Sequence, residues 1–152
     1  MSINILTLEE IEAITRVSLK NNFPLFREEH HVDASFLDPQ MTYFYIGYNE
    51  NPNCIKRERL ESRTQFSLNV FLPTTCCLLY IELERSQRGK GLGWSLYETV
   101  HDIARKLNCY RVRQTPSGGF FKEGVMVMSR RDYLLQRGYV DATDTEVELM
   151  LQ

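Results

Sequence analysis

Two cations and three glycines crowd one short stretch, Arg88-Gly89-Lys90-Gly91-Leu92-Gly93. The apolar run Leu78, Leu79, Tyr80, Ile81 and Leu83 precedes it and has the length of a buried strand. Beyond it, Leu92, Leu96, Val100, Ile103 and Leu107 recur at three- and four-residue spacing, the apolar stripe of a helix packed on a sheet. Glycines at such a junction permit backbone conformations and close approaches that a Cβ hinders. A glycine-rich turn that opens a helix leaves the first N–H groups unpaired, at the positive end of the helix dipole. Arg88 and Lys90 add positive charge there, so the stretch outlines an anion site suited to a pyrophosphate.

Spacing narrows which pyrophosphate. A Walker A loop needs Gly-Lys-Ser/Thr, but Lys90 stands between glycines and Ser95 follows Trp94. The dinucleotide fingerprint G-x-G-x-x-G fails as well, because the glycines fall at 89, 91 and 93. Arg88, Gly91 and Gly93 instead fit Arg/Gln-x-x-Gly-x-Gly/Ala, and the stretch resembles the acyl-CoA loop of the GNAT superfamily of N-acyltransferases. Leu83 matches that family's branched apolar residue five places before the arginine, and Arg85 replaces a frequent proline. An ordinary Gly-rich strand-to-helix turn is the plain alternative.

The resemblance implies an α/β (α+β) fold, with a mixed, mostly antiparallel central sheet, one parallel splayed strand pair, and helices on both faces. It implies acetyl-CoA as co-substrate, with pantetheine along the backbone of Ile81, Glu82 and Leu83. Arg88 and the N–H groups of Gly89, Lys90, Gly91, Leu92, Gly93 and Trp94 would take the pyrophosphate. The family's C-terminal Phe-Tyr-x-x-x-Gly-Phe pattern ends here in Gly138-Tyr139. Its tyrosine, often the acid that protonates the leaving thiolate, falls on Leu134, whereas Tyr133 occupies the neighbouring phenylalanine position. On a helix that displaces the phenol by about 100 degrees. Tyr133 is therefore the candidate acid, with the core as its other destination.

Acyl transfer to an amine needs a neutral nucleophile, hence a base or a water chain leading to one. Glu82 and Glu84 are the carboxylates nearest the loop, and on a regular strand both face away from Ile81 and Leu83. Each is a base candidate and equally an ordinary exposed strand residue. Some relatives place a base glutamate on the next parallel strand, where this chain has Arg111. Glu28, Glu29, His30 and His31 lie in a connection that borders the acceptor site in the family, and are candidates for contacting an amine. A solvated loop is the competing reading. Adjacent histidines aim poorly at one ion, so no metal site is expected.

The positioning elements follow from local pattern. Thr7 and Glu10 form a capping box ahead of Leu8, Ile11, Ile14 and Val17, which predicts a helix over residues 8–20 after a short strand at residues 3–6. Asp33 is placed to cap a short second helix. Residues 41–48, 65–72 and 109–113 read as strands, and the charged 55–63 stretch as a solvated loop or strand extension. Residues 114–124 read as a loop, either a lid or an inert insertion, and 125–137 as the last helix, closed by Gly138. Alternation of Val147, Leu149 and Leu151 with Glu146, Glu148 and Met150 predicts a final half-buried strand.

One domain over residues 1–152 fits the length, and 25% charged residues with net charge −2 give no sign of a nucleic-acid or membrane partner. No run reaches the roughly 20 apolar residues of a membrane span. The N-terminus lacks a signal-peptide pattern, and four cysteines without C-x-x-C spacing point to reduced thiols and a cytoplasmic location. The expectation is an N-acetyltransferase moving acetyl from acetyl-CoA to a primary amine of a small molecule or peptide, by direct attack on the thioester. A homodimer is compatible with such folds. A non-catalytic acyl-CoA-binding module is the alternative, and a nucleotide-dependent phosphotransferase ranks below both.

Overall fold

The computed structural model describes residues 6–38, 42–53 and 63–151. Helix α1 (Leu8–Asn22) is followed by four antiparallel neighbours, β1 (His31–Phe36), β2 (Tyr43–Asn49), β3 (Gln65–Phe71) and β4 (Thr75–Glu82). Helix α2 (Leu92–Lys106) crosses over to β5 (Arg111–Gln114), which pairs parallel with β4. A hairpin, β6 (Gly119–Lys122) and β7 (Val125–Ser129), leads into the short α3 (Arg130–Leu135), then β8 (Val140–Asp141) and β9 (Val147–Met150). The main sheet runs β1-β2-β3-β4-β5-β9-β8, and the hairpin forms a separate two-stranded sheet. This is a mixed, mostly antiparallel sheet with one parallel pair, the fold class that the glycine loop implied.

One face of that sheet holds the core. Phe44, Ile46, Leu68, Val70, Cys76, Leu78, Val112 and Val147 point to it and are buried, and α2 lays Leu96, Val100, Ile103 and Ala104 against them. α1 packs beside α2. α3 joins the same side, since Tyr133 and Tyr139 reach Trp94 and His101 of α2. The opposite face carries half-buried or exposed groups such as Tyr43, Asn69, Phe71, Cys77, Arg111 and Arg113.

Among the described residues the helices cover one face only, where helices on both faces were expected, and the cause is local. The segment at Asp33 forms strand β1 instead of a second helix, with Val32, Ala34 and Phe36 aligned on Tyr48, Ile46 and Phe44. Alternating apolar residues beside an aromatic strand gain more from cross-strand packing than from one isolated helical turn. The predicted helix over 125–137 also divides. Glu123 and Gly124 both take positive φ, 53 and 79 degrees, and make the tight turn of a hairpin in which Lys122 pairs with Val125. The β-branched Val125 and Val127 extend as β7, and the helix begins only where Ser129 caps it through the Asp132 N–H. The N-terminal capping box forms as expected, with Thr7 and Glu10 bonding each other's backbone N–H groups. Residues 3–5 of the short strand expected at 3–6, and residues 55–62 of the charged stretch, lie outside the described residues.

His101 sits inside this core with its Nε2 2.6 Å from the Tyr139 hydroxyl. Burial, with a smaller push from Arg105, lowers its pKa from 6.5 to about 4. Between those two values the unfolded chain binds a proton that the folded chain refuses. Stability is therefore complete above pH 6.5 and falls by about 3 kcal/mol as pH drops towards 4. Urea unfolding at pH 7 and pH 5 checks this: the native chain weakens at pH 5, and His101→Phe reduces that loss. Ile103→Ala, fully buried in the native chain, should cost about 2–5 kcal/mol at either pH.

Candidate active site

The two long helices begin differently. α1 starts from Thr7 with Glu9 and Glu10 in its first turn. α2 starts from Gly91, has no side-chain cap, and carries no acidic residue in its first turn. Its leading N–H groups are therefore left for an outside acceptor, at the positive end of the dipole. Gly89 and Gly91 hold φ values of 80 and 77 degrees, in the left-handed region where a side chain is strained. Arg88 braces the loop, its Nε donating to the Leu83 carbonyl at 2.8 Å. Gly93 has ordinary φ, and a Cβ built on it meets nothing within 4 Å. No packing among the described residues requires a glycine there.

The loop opens onto a cleft of about 550 Å³, within the usual range of small-molecule sites. The parting of two strands creates it. β4 and β5 pair only from Thr75–Arg111 to Leu78–Gln114. Directly afterwards the β3–β4 register shifts, because Ser67 faces Tyr80 whereas Leu68 faces Leu78, which leaves Leu79 as an extra residue. Such a bulge bends its strand, and the backbone from Leu79 to Leu83 lines the cleft. Gly93, Trp94 and Tyr97 of α2 form a second wall, and Phe120, Arg130, Tyr133 and Arg137 a third.

The sequence candidates separate into two groups. Ile81, Glu82, Leu83, Arg88, Gly89, Gly91, Gly93, Trp94 and Tyr133 all line this cleft. Lys90 and Leu92 belong to the loop without lining it. Tyr133 is on the cleft wall: Phe120 packs on its ring at 4.9 Å, and the Arg137 guanidinium lies 3.7 Å from its centroid. Burial raises its pKa, so the hydroxyl stays protonated at neutral pH. Leu134, at the family's tyrosine position, is fully buried in the core.

Glu82 reaches the cleft, and its Oε1 accepts from the Arg63 N–H at 3.2 Å and the Gln65 Nε2 at 3.0 Å. Glu84 does not line the cleft. It caps the single turn at residues 85–87 and accepts from Ser86, which lowers its pKa. Glu28, Glu29, His30 and His31 lie away from the cleft lining. The His30 Nδ1 accepts from the Arg27 N–H and lies 2.9 Å from the Tyr48 hydroxyl, and Arg16 ties down the carbonyls of Glu28 and His30. These bonds fasten the turn into β1. His31 faces Asp33 at 3.4 Å.

Sequence reasoning assigned nothing to Tyr97, Arg130 and Arg137, and held Gln114 and Phe120 only as parts of a loop read as a lid or an inert insertion, where the structure has the end of β5 and the strand β6. Tyr97 was within reach, since it follows Trp94 by one helical step on the face above the loop. Arg130 donates to the Tyr97 hydroxyl at 3.0 Å and the Ser117 carbonyl at 3.3 Å. Only the unforeseen hairpin brings it there. Arg88, Arg130 and Arg137 make no carboxylate contact among the described residues and leave the cleft net positive, with Glu82 its only acidic liner.

Neither a family model nor a curated protein matches the chain. Among solved structures it is similar to a protein of Klebsiella pneumoniae subsp. pneumoniae assigned as an acyl-CoA N-acyltransferase, at 16% identity and a TM-score of 0.46 over 100% of this chain and 96% of that one. It is also similar to an acetyltransferase from Bacillus cereus, at 12% identity and 0.45 over 99% and 98%. A third is the PaiA N-acetyltransferase of Thermoplasma acidophilum in complex with coenzyme A, at 14% and 0.41 over 98% of each chain.

The two glycines should respond oppositely to alanine. Gly91→Ala forces a Cβ into the left-handed region and should cost about 1 kcal/mol, whereas Gly93→Ala gains helix propensity in open space and should hold or raise stability by up to about 1 kcal/mol. Thermal unfolding of the two variants reads the difference.

Proposed function

We propose that the chain is an acyl-CoA-dependent N-acyltransferase that moves an acetyl group from acetyl-CoA to a primary amine. One observation carries this reading: the uncapped N-terminus of α2, fronted by left-handed Gly89 and Gly91, opens onto the gap where β4 parts from β5. An anionic head at a helix terminus and an extended arm beside unpaired strand backbone describe a CoA thioester. A compact nucleotide has no use for the second feature, and the loop lacks the Walker lysine-serine pair.

The chain's groups have separable tasks. Backbone N–H groups from Gly91 to Trp94 take phosphate oxygens, with Arg88 and Arg137 supplying charge at the same end. The strand backbone beyond Leu78 holds the arm in line and offers N–H groups to polarise the thioester carbonyl. The amine attacks that carbonyl carbon, the carbon–sulfur bond breaks, and the thiolate takes a proton from the Tyr133 hydroxyl. That acid need contribute only modestly, because a thiol of pKa about 8.5 is a competent leaving group. The amine's own proton passes to water or, through water, to Glu82.

A non-catalytic acyl-CoA-binding module is the second reading, favoured by one fact. Glu84 is outside the cleft and the Glu82 Oε1 already accepts two bonds, so among the described residues no carboxylate in the cleft is dedicated to the amine.

Release of free CoA thiol from acetyl-CoA across a panel of amines separates the two. Turnover with one amine class, abolished by Gly91→Glu, is the expected result; binding of acetyl-CoA without turnover on any amine supports the module instead. In the active case Tyr133→Phe should lower kcat about tenfold or more while leaving CoA affinity within about twofold.

A further inference from the structure

Gln114 is the last residue of β5 to pair with β4, opposite Leu78, at the point where the two strands separate. Its side chain lies on the core face beside Val112, only 6% of the residue is exposed, and it lines the cleft. Among the described residues its buried Oε1 has no hydrogen-bond partner, and none bonds its Nε2. A buried carboxamide left unmatched costs about 1–3 kcal/mol, and native chains seldom keep one without a use. Arg88, Arg130 and Glu82, which line the same cleft, are already engaged: the two arginines donate to carbonyls, and Glu82 accepts from the Arg63 N–H and the Gln65 side chain.

A primary carboxamide offers both a donor and an acceptor, and a secondary amide is its complement. Resting on the acyl-CoA reading above, we propose that Gln114 is a positioning residue that pairs with the amide of the pantetheine arm nearest the sulfur. Along that arm, phosphates and thioester present only acceptors, and the amides alone present an N–H and a C=O together. The cleft runs from the α2 N-terminus to the strand junction, so a head on the loop sends the sulfur end of the arm towards Gln114. Satisfying the carboxamide only when the arm is seated makes the site discriminate the full thioester carrier from its nucleotide fragment.

Calorimetry on the full chain tests this with three probes: CoA, adenosine 3′,5′-bisphosphate, which lacks the arm, and a CoA analogue in which an ester oxygen replaces the amide nitrogen nearest the sulfur. The native chain should bind the ester analogue about tenfold more weakly than CoA. Gln114→Met should bind CoA about tenfold more weakly than the native chain, bind the bisphosphate unchanged, and no longer distinguish CoA from the ester. Equal affinity of the native chain for CoA and the ester overturns the proposal without recourse to any variant. So does a folded Gln114→Met chain that binds CoA as the native chain does, or that loses CoA and bisphosphate in equal measure. Failure of the native chain to bind CoA at all overturns the acyl-CoA reading itself, and this inference with it.

Discussion

The structure depends on a parallel strand pair that is held together at one end and released at the other. Four residue pairs join β4 to β5, from Thr75–Arg111 to Leu78–Gln114. Over that length Cys76, Leu78 and Val112 are buried beneath α2, so apolar packing and ladder hydrogen bonds act together. Beyond it the bulge at Leu79 turns β4 aside, and backbone that would complete a sheet faces a cleft instead. Unpaired strand backbone is normally a liability that proteins cover. Here it lies between α2 and the aromatic wall of Phe120 and Tyr133, where an extended ligand can complete it.

Electrostatics give the cleft a direction. The same crossover that makes β4 and β5 parallel places the α2 N-terminus at the open end of the gap. That terminus lacks both a capping side chain and an acidic first turn, while the C-terminal turn carries Arg105 and Lys106. The dipole, Arg88 beside Leu83 and Arg137 over Trp94 therefore add at the N-terminal end, and Gln114 stands at the strand junction. Tyr133, on the aromatic wall of the same cleft, is kept protonated by burial. A polar gradient along one cleft thus follows from a single strand–helix–strand unit plus one wall contributed from further along the chain.

That wall explains why part of the site was hidden in the sequence. The loop residues were legible because glycines at 89 and 91 and the apolar stripe of α2 are local signals, enforced by backbone sterics and periodicity. Arg130 and Phe120 carry no such signal. They reach the cleft only because Glu123 and Gly124 reverse the chain in a hairpin, where residues 125–137 had a helical reading. Tyr133 shows the same limit in reverse. Its displacement from the family position argued for the core, yet Leu134 fills the core and turns Tyr133 onto the cleft wall.

The sequence alone determined the glycine loop ahead of α2, the capping box at Thr7, the amphipathic α2, and the chain order that brings β4 through α2 into β5. These are set by interactions among residues within a turn or two of each other, or by simple periodicity. Tertiary structure decided the rest. It removed Glu84 and the Glu28–His31 turn from the cleft by giving each a local bonding task. It converted the segment at Asp33 into β1 and left the far sheet face without a described helix. It also brought Gln114 to the strand junction with its hydrogen bonds unmade, because orientation at the end of a strand is fixed by its neighbour, Leu78, from across the parallel pair.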